Sequence, residues 1–188
     1  MRVPVYVQNR HIHLSQIDAN KLFWKWYEFC IEKKFTQPWE FFAKEKIKIK
    51  WPSWEIDNVD IILPMRKETQ VEIFLSDNEI LWIHAKPTTS WNLWQAEAIT
   101  LIWPNWDSYL PHAVIIAEKH IHMSVAQAID FWFKNNQIVS VKTHWDSPTI
   151  FWNVKIKAND KYDFDFHINS EEWKCAWLHT DDRAEIIK

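Results

Sequence analysis

Glycine is absent from all 188 residues of the chain. Average usage of about 7% would give roughly 13 glycines in a chain of this length. Fifteen tryptophans are present instead. Several of them lie in turn-like segments where glycine is favoured, namely residues 24–26, 51–54 (WPSW), 91–94, 103–106 (WPNW) and 145–148. We infer that tryptophan replaces glycine throughout the chain.

This substitution predicts backbone strain. A residue other than glycine in the left-handed region costs about 1–2 kcal/mol. If about half of the tryptophan sites require positive φ, the total is roughly 7–15 kcal/mol, which matches the stability of a whole domain, about 5–15 kcal/mol. We therefore expect the chain as written to be misfolded or inactive, and we consider the glycine-containing parent separately.

Other absences limit the function classes. Cys30 and Cys175 are far apart and form no CxxC pair, the N-terminus has no signal-peptide pattern, and no apolar run is long enough to span a bilayer. A net charge of -3 argues against a nucleic-acid or anionic-membrane partner. We expect a cytoplasmic protein whose cysteines are small buried hydrophobic residues.

An internal repeat organises the chain. The segment RHIHLS at residues 10–15 recurs as KHIHMS at residues 119–124. Each copy follows an apolar run and precedes an amphipathic stretch that opens with Ser15 or Ser124, which predicts a strand, a His-x-His pair and a short helix. A second repeat pairs residues 48–55 with residues 100–107 and predicts two strand-turn-strand units. Further short β-rich runs favour barrels or sandwiches: residues 46–50, 55–63, 69–74, 138–142, 154–157 and 162–168.

The His-x-His pairs are candidate metal ligands. Residues two apart in a strand point to the same face, so His11 pairs with His13 and His120 with His122. Two neutral imidazoles so placed can reach one metal ion, but each pair lacks at least one further ligand. The four histidines outside these pairs and the 162–168 run show no partner spacing, and we expect surface or structural roles for them: His84, His112, His144 and His179.

Two other runs offer the missing ligands. Alternate residues from Arg66 to Glu72 share one face, which combines a cation suited to bidentate phosphate binding with a carboxylate that can bind zinc. His167 shares a face with Asp163 and Asp165. Taken alone, the first face is typical of a solvent-facing strand and the second run of an exposed strand edge.

The segments at residues 9–15, 64–72, 119–123 and 166–168 together resemble the PduL-type phosphate propanoyltransferases, or phosphotransacylases. The resemblance runs in order over nearly the whole chain, and it improves when tryptophan is read as glycine. It implies a mainly β fold of two related β-barrels capped by short helices, with the active site between them. Residues 1–9 with 118–188 would form one barrel and residues 10–117 the other.

The resemblance also implies a reaction: acyl-CoA, with propionyl-CoA expected, plus phosphate gives acyl phosphate plus CoA. Two zinc ions are implied. By motif position, Glu72, His120 and His122 would hold one ion together with the CoA sulfur. His11, His13 and His167 would hold the other with water or phosphate, and Arg66 would bind the phosphate group.

The resemblance links the chain to propanediol degradation in bacterial microcompartments. Because the chain begins near its first strand, without a targeting extension, we expect either a free cytoplasmic member or a trimmed form of a longer protein. A homodimer is one alternative for the oligomeric state.

Two other functions stay open. A non-catalytic zinc-binding β module would use the same histidines, although it has no need for Arg66. A protein-binding or carbohydrate-binding module would use exposed aromatic residues, although the tryptophans show no regular stacking interval.

Overall fold

A computed structural model describes residues 1–90, 92–144 and 146–187. The predicted turns at residues 91–94 and 145–148 include Trp91 and Trp145, which lie outside the described residues. Strands account for 48% of the described residues and helices for 14%, which confirms the predicted mainly β class. No helix among the described residues is long and apolar enough to cross a membrane.

The described residues form short strands and a few short helices. The strands are β1 Arg2–Gln8, β2 His11–His13, β3 Ile31–Lys34, β4 Phe41–Trp51, β5 Trp54–Leu63, β6 Gln70–Glu72, β7 Pro87–Thr88, β8 Glu97–Trp103, β9 Trp106–Ala117, β10 His120–Met123, β11 Ile138–Lys142, β12 Ile150–Ala158, β13 Asp165–Asn169 and β14 Arg183–Ile187. The helices are α1 Gln16–Phe23, α2 Asp77–Leu81, α3 Val125–Asp130 and α4 Ser170–Ala176.

The chain divides into two compact units. Unit 1 comprises Met1–Gln8, Thr36–Pro38 and Glu118–Lys188. Its described strands close into a barrel in the order β1-β13-β10-β12-β11-β14 around a core that includes Val5, Ile121 and Phe166. The short segment Thr36–Pro38 belongs to this unit, whereas the resemblance implied residues 10–117 for the other barrel. Gln37 bonds to residues that precede and begin β13.

Unit 2 comprises Asn9–Phe35 and Trp39–Ala117. Its strands pair in the order β4-β5-β2-β6-β9-β8, and β8 returns to β4, so this sheet also closes among the described residues. Strand β4 alternates buried and less buried side chains, with Ile47 and Ile49 fully buried. This alternation packs one face of the strand into the barrel core.

The structure confirms the secondary structure that both sequence repeats predict. Each His-x-His pair forms a short buried strand, and each is followed by a helix that a serine caps. Ser15 accepts a hydrogen bond from the backbone N–H of Asp18, and Ser124 forms a complete capping box with Gln127. Residues 51–54 and 103–106 join antiparallel strands, as predicted.

The prediction that the cysteines are buried is wrong, because Cys30 and Cys175 are both exposed. Cys30 directly precedes β3, whose side chains are all exposed, and Cys175 lies on the outer face of α4.

Candidate functional site

Three potential metal ligands meet in unit 2. We call His11, His13 and Glu72 the His11 group. Strands β2 and β6 are antiparallel, and their register places His11 opposite Glu72. The Nε2 atom of His11 lies 3.3 Å from Oε2 of Glu72, and all three side chains are buried.

Hydrogen bonds orient the ligands of this group. The backbone carbonyl of Asn9 lies 2.9 Å from Nδ1 of His11. Because a carbonyl oxygen can only accept, Nδ1 carries the proton, and the lone pair of Nε2 is directed towards Glu72. Gln70 donates to Oε1 of Glu72 at 2.7 Å, which holds the carboxylate in place.

The electrostatics of the group favour a cation. Burial alone would lower the pKa of His11, but Glu72 attracts the proton strongly enough to raise the pKa above its usual value. A positive charge is therefore favoured beside Glu72, whether a proton or a metal ion supplies it.

Three histidines meet in unit 1. We call His120, His122 and His167 the His120 group. Strands β10 and β13 are antiparallel, with His120 opposite His167. The ring centroid of His122 lies 4.5 Å from the centroid of His120 and 4.5 Å from that of His167. All three side chains are buried.

The first histidine of each repeat is held in the same way. The carbonyl of Glu118, two residues before His120, lies 2.7 Å from Nδ1 of that histidine. The relation between Asn9 and His11 is identical in spacing. Each bond selects the tautomer that leaves Nε2 with a lone pair, as a metal ligand requires.

Asp165 orients the other two histidines. Its Oδ1 atom accepts from Nδ1 of His122 at 3.2 Å, and its Oδ2 atom lies 2.7 Å from Nε2 of His167. Gln37 donates to the same Oδ2 atom at 2.8 Å. The carboxylate therefore fixes the ring planes of two potential ligands and is itself fixed by an amide.

Burial favours the neutral form of two histidines in this second group. It lowers the pKa of His122 to about 3, with the neighbouring His167 adding to the effect, and it lowers the pKa of His120 well below the usual value. Burial would raise the pKa of Asp165, but His167 and His122 hold it below its usual range. Neutral imidazoles and an ionised carboxylate are the states that metal binding needs.

The donor atoms fit zinc. Within each group the candidate ligand atoms all lie within 4.8 Å of one another. Three histidines, or two histidines and a glutamate, are protein ligand sets of catalytic zinc sites, which keep a fourth position for water or substrate.

The grouping of the six residues corrects the division that the resemblance implied. Glu72 lies with His11 and His13, and His167 lies with His120 and His122. The reason is strand register: β6 pairs with β2, and β13 pairs with β10. Each three-residue group therefore lies within one unit.

Arg66 lies beside the strand of the His11 group. Its backbone N–H donates to the carbonyl of Leu14 at 2.7 Å, and it forms a β-bridge with Ser15. Its guanidinium group forms a partly buried ion pair with Glu40.

Sequence reasoning missed two residues around these groups and misinterpreted the setting of a third. Glu40 and Gln37 carry no motif, since each lies in a connecting segment far along the chain from its partner. Asp165 was noticed as a neighbour of His167, but the segment taken alone favoured an exposed strand edge. That interpretation is wrong, because β13 pairs on both sides, with β1 and β10.

The solvent-facing interpretation of the 66–72 face is also wrong where it concerns Gln70 and Glu72, which are buried. The four remaining histidines are exposed, which confirms the first of the two roles expected for them: His84, His112, His144 and His179.

Comparison with known proteins identifies the relatives. A family model described as "Phosphate propanoyltransferase" matches residues 4–179. The chain is 36% identical over 187 residues to the phosphate propanoyltransferase of Thermotoga maritima, covering 99% of this chain and 89% of that protein.

Two further relatives carry the same name. The phosphate propanoyltransferase of Lachnoclostridium phytofermentans is 35% identical over 174 residues, covering 93% of this chain and 82% of the relative. That of Salmonella typhimurium is 34% identical over 175 residues, covering 93% and 83%. Because the family model and these relatives cover nearly the whole chain, the chain belongs to the phosphate propanoyltransferase family.

Proposed function

We propose that this protein is a zinc-dependent phosphate acyltransferase that interconverts acyl-CoA and phosphate with acyl phosphate and CoA, and that propionyl is its acyl group. One observation carries the proposal beyond the family match: two ordered, buried ligand groups lie in repeated structural contexts, and an arginine suited to phosphate lies beside one of them. The choice of propionyl follows the names of the relatives.

His11, His13 and Glu72 would hold one zinc ion, and His120, His122 and His167 would hold the second. When bound, zinc stabilises a thiolate near neutral pH and neutralises charge on phosphate oxygens. Glu72 gives its group one carboxylate ligand, whereas the three ligands of the His120 group are all imidazoles. We assign the CoA sulfur to the Glu72-containing group and phosphate to the three-histidine group.

Arg66 would bind the phosphate or acyl phosphate. Its guanidinium fork matches two phosphate oxygens, and the backbone contacts to Leu14 and Ser15 hold its main chain next to β2. In this role it orients phosphate and stabilises the negative charge that develops during transfer.

The reaction balances without a protein nucleophile. A phosphate oxygen would attack the thioester carbonyl carbon, the new C–O bond would form, the C–S bond would break, and CoA would leave as the thiolate, which takes up the proton of hydrogenphosphate when free CoA is released. No acyl group passes to the chain. Neither exposed cysteine belongs to the two ligand groups, which agrees with direct transfer.

The test is release of free thiol from propionyl-CoA in the presence of inorganic phosphate, compared with acetyl-CoA and butyryl-CoA. It is run on this chain and on the chain with every tryptophan changed to glycine, because we expect only the second to fold fully and turn over. Zinc is measured in the same samples. A glycine-restored chain that holds zinc but releases no thiol would support the non-catalytic zinc-binding module instead.

The proposal also covers the cellular location and the oligomeric state of the protein. We propose a cytoplasmic enzyme of propanediol degradation that acts on its own or in a bacterial microcompartment, and a homodimer as its assembly. Light scattering on the glycine-restored chain tests the assembly, and a monomer at working concentrations would contradict it.

A further inference from the structure

Glu40 shares a local charge cluster with Arg66 in unit 2. It directly precedes β4, and its backbone carbonyl accepts from the N–H of Phe35 at 2.9 Å. Its carboxylate accepts a hydrogen bond from the guanidinium of Arg66. The side chains are largely shielded from water, with 17% of Glu40 and 28% of Arg66 exposed.

This ion pair adjoins the His11 group. Arg66 is bound by its backbone to residues that directly follow His13. The charge of Glu40 also reaches His11, where it adds to the larger effects of burial and Glu72 on the pKa. The carboxylate of Glu40 therefore contacts the arginine that the proposed function assigns to phosphate, next to the ligand group that it assigns to one zinc ion.

A carboxylate and a phosphate make the same demand on a guanidinium group. Both present two oxygens at a spacing that the planar N–H fork fits, so they compete for the same donors. Two anions on one guanidinium also repel each other at short range. A phosphate that binds Arg66 must therefore displace Glu40 or tolerate its charge.

We propose that Glu40 is a built-in competitor for the phosphate-binding arginine, which holds Arg66 in place in the absence of substrate and weakens its hold on phosphate and acyl phosphate. This inference rests on the proposed function, since it takes Arg66 as the phosphate-binding residue. Glu40 is a positioning residue in this scheme. The ligand with which it competes for Arg66 is a dianionic phosphoryl group.

The experiment uses Glu40→Gln in the zinc-loaded, glycine-restored chain. Glutamine keeps the size and one acceptor oxygen but removes the charge. We expect the KM for phosphate to fall about threefold to tenfold, while the KM for propionyl-CoA stays within twofold. Binding of inorganic phosphate, measured by calorimetry without acyl-CoA, tightens by the same factor.

Two controls isolate the contact. Glu32→Gln removes one negative charge from the same unit, but Glu32 is more exposed and pairs with Lys46 rather than with Arg66, so it leaves phosphate affinity unchanged. Glu40→Asp keeps the charge on a shorter side chain and gives an intermediate KM. Circular dichroism of each variant verifies that it folds.

The outcomes are separable. A KM for phosphate that is unchanged or higher in Glu40→Gln, with turnover intact, overturns the competitor role. Tighter phosphate binding in Glu40→Gln without turnover in any variant supports the competitor role and rejects the transferase. Equal tightening in Glu32→Gln would overturn the specific contact in favour of a general charge effect.

Discussion

At the scale of single residues, tryptophans occupy backbone conformations that favour glycine. Among the described residues, six have φ between 52° and 73°. All six are exposed, so their rings gain little from burial, while their backbones pay about 1–2 kcal/mol each. They are Trp24, Trp26, Trp39, Trp82, Trp132 and Trp177.

The positive-φ tryptophans sit where chain reversals need a left-handed residue. Trp82 and Trp177 end α2 and α4 in the left-handed conformation, the position that glycine normally fills. The tryptophans beside the two proline turns behave differently: Trp51, Trp54, Trp103 and Trp106 are strand ends without positive φ. Glycine preference there would come from the turn rather than from the left-handed region.

Trp132 provides a direct test of the strain. It follows α3 with a φ of 61° and is 84% exposed. We expect Trp132→Gly to raise the free energy of unfolding by about 1 kcal/mol, because relief of strain exceeds the added freedom of the unfolded chain. Denaturant unfolding measures the change.

The matched control is Trp152→Gly. Trp152 is 67% exposed but lies in β12 without positive φ. Glycine weakens a strand interior, so the free energy of unfolding should fall by about 0.5–1 kcal/mol. A change of the same sign in both variants would reject strain as the cause.

At the scale of elements, the candidate ligands depend on how strands pair and on what fixes their side chains. Asp165 lies in β13 and reaches across to His122 in β10. Strand pairing brings the residues close, and the carboxylate then sets the ring orientation. Loss of such an indirect contact typically lowers metal affinity about 10–100-fold.

Asp165→Asn tests this role. The amide keeps the shape but loses the charge and one acceptor, so we expect zinc affinity at the His120 group to fall about 10–100-fold. Competition with a chromogenic chelator measures it, and the His11 group serves as the internal reference.

Asp163→Asn is the matched control for that measurement. Asp163 bonds to Gln37 through its backbone N–H and carbonyl, which the substitution leaves intact. Zinc affinity should therefore remain unchanged. An equal loss in both variants would show that local charge, rather than ligand orientation, is responsible.

At the scale of the whole molecule, each unit carries its own ligand group, and the two groups differ in their response to protons. Because the pKa of His11 is raised, protons begin to compete with metal for this side chain at a higher pH than they would for an ordinary histidine. The lowered pKa values of His120 and His122 mean that protons compete with metal at these two histidines only under acidic conditions, at about pH 3 for His122.

The His11 group should therefore release zinc at a higher pH than the His120 group. Variants separate the two: His122→Gln leaves the His11 group intact, and His13→Gln leaves the His120 group intact. Zinc content after dialysis from pH 8 to pH 4 should decline first in His122→Gln. Simultaneous release, or release in the opposite order, would contradict the prediction.

Much of the fold was predictable because the responsible signals are local. The repeated His-x-His segments, their serine caps and the two proline turns each depend on residues within a few positions of one another. The contribution of Gln37 was not predictable, because it is a single polar residue whose partner lies more than a hundred positions away. Glu40 was not predictable either, because it is also a single polar residue outside any motif, and its partner Arg66 lies in another connecting segment.

The amino-acid sequence by itself determined the ligand types and the pairing of histidines within each repeat, because alternate residues of a strand share a face. Only the tertiary structure decided which third ligand joins each pair. That choice depends on strand register: β6 sets Glu72 against His11, and β13 sets His167 against His120. Register depends on which face of each strand is buried and on how the connecting segments bring distant strands together, so the spacing within one motif does not encode it.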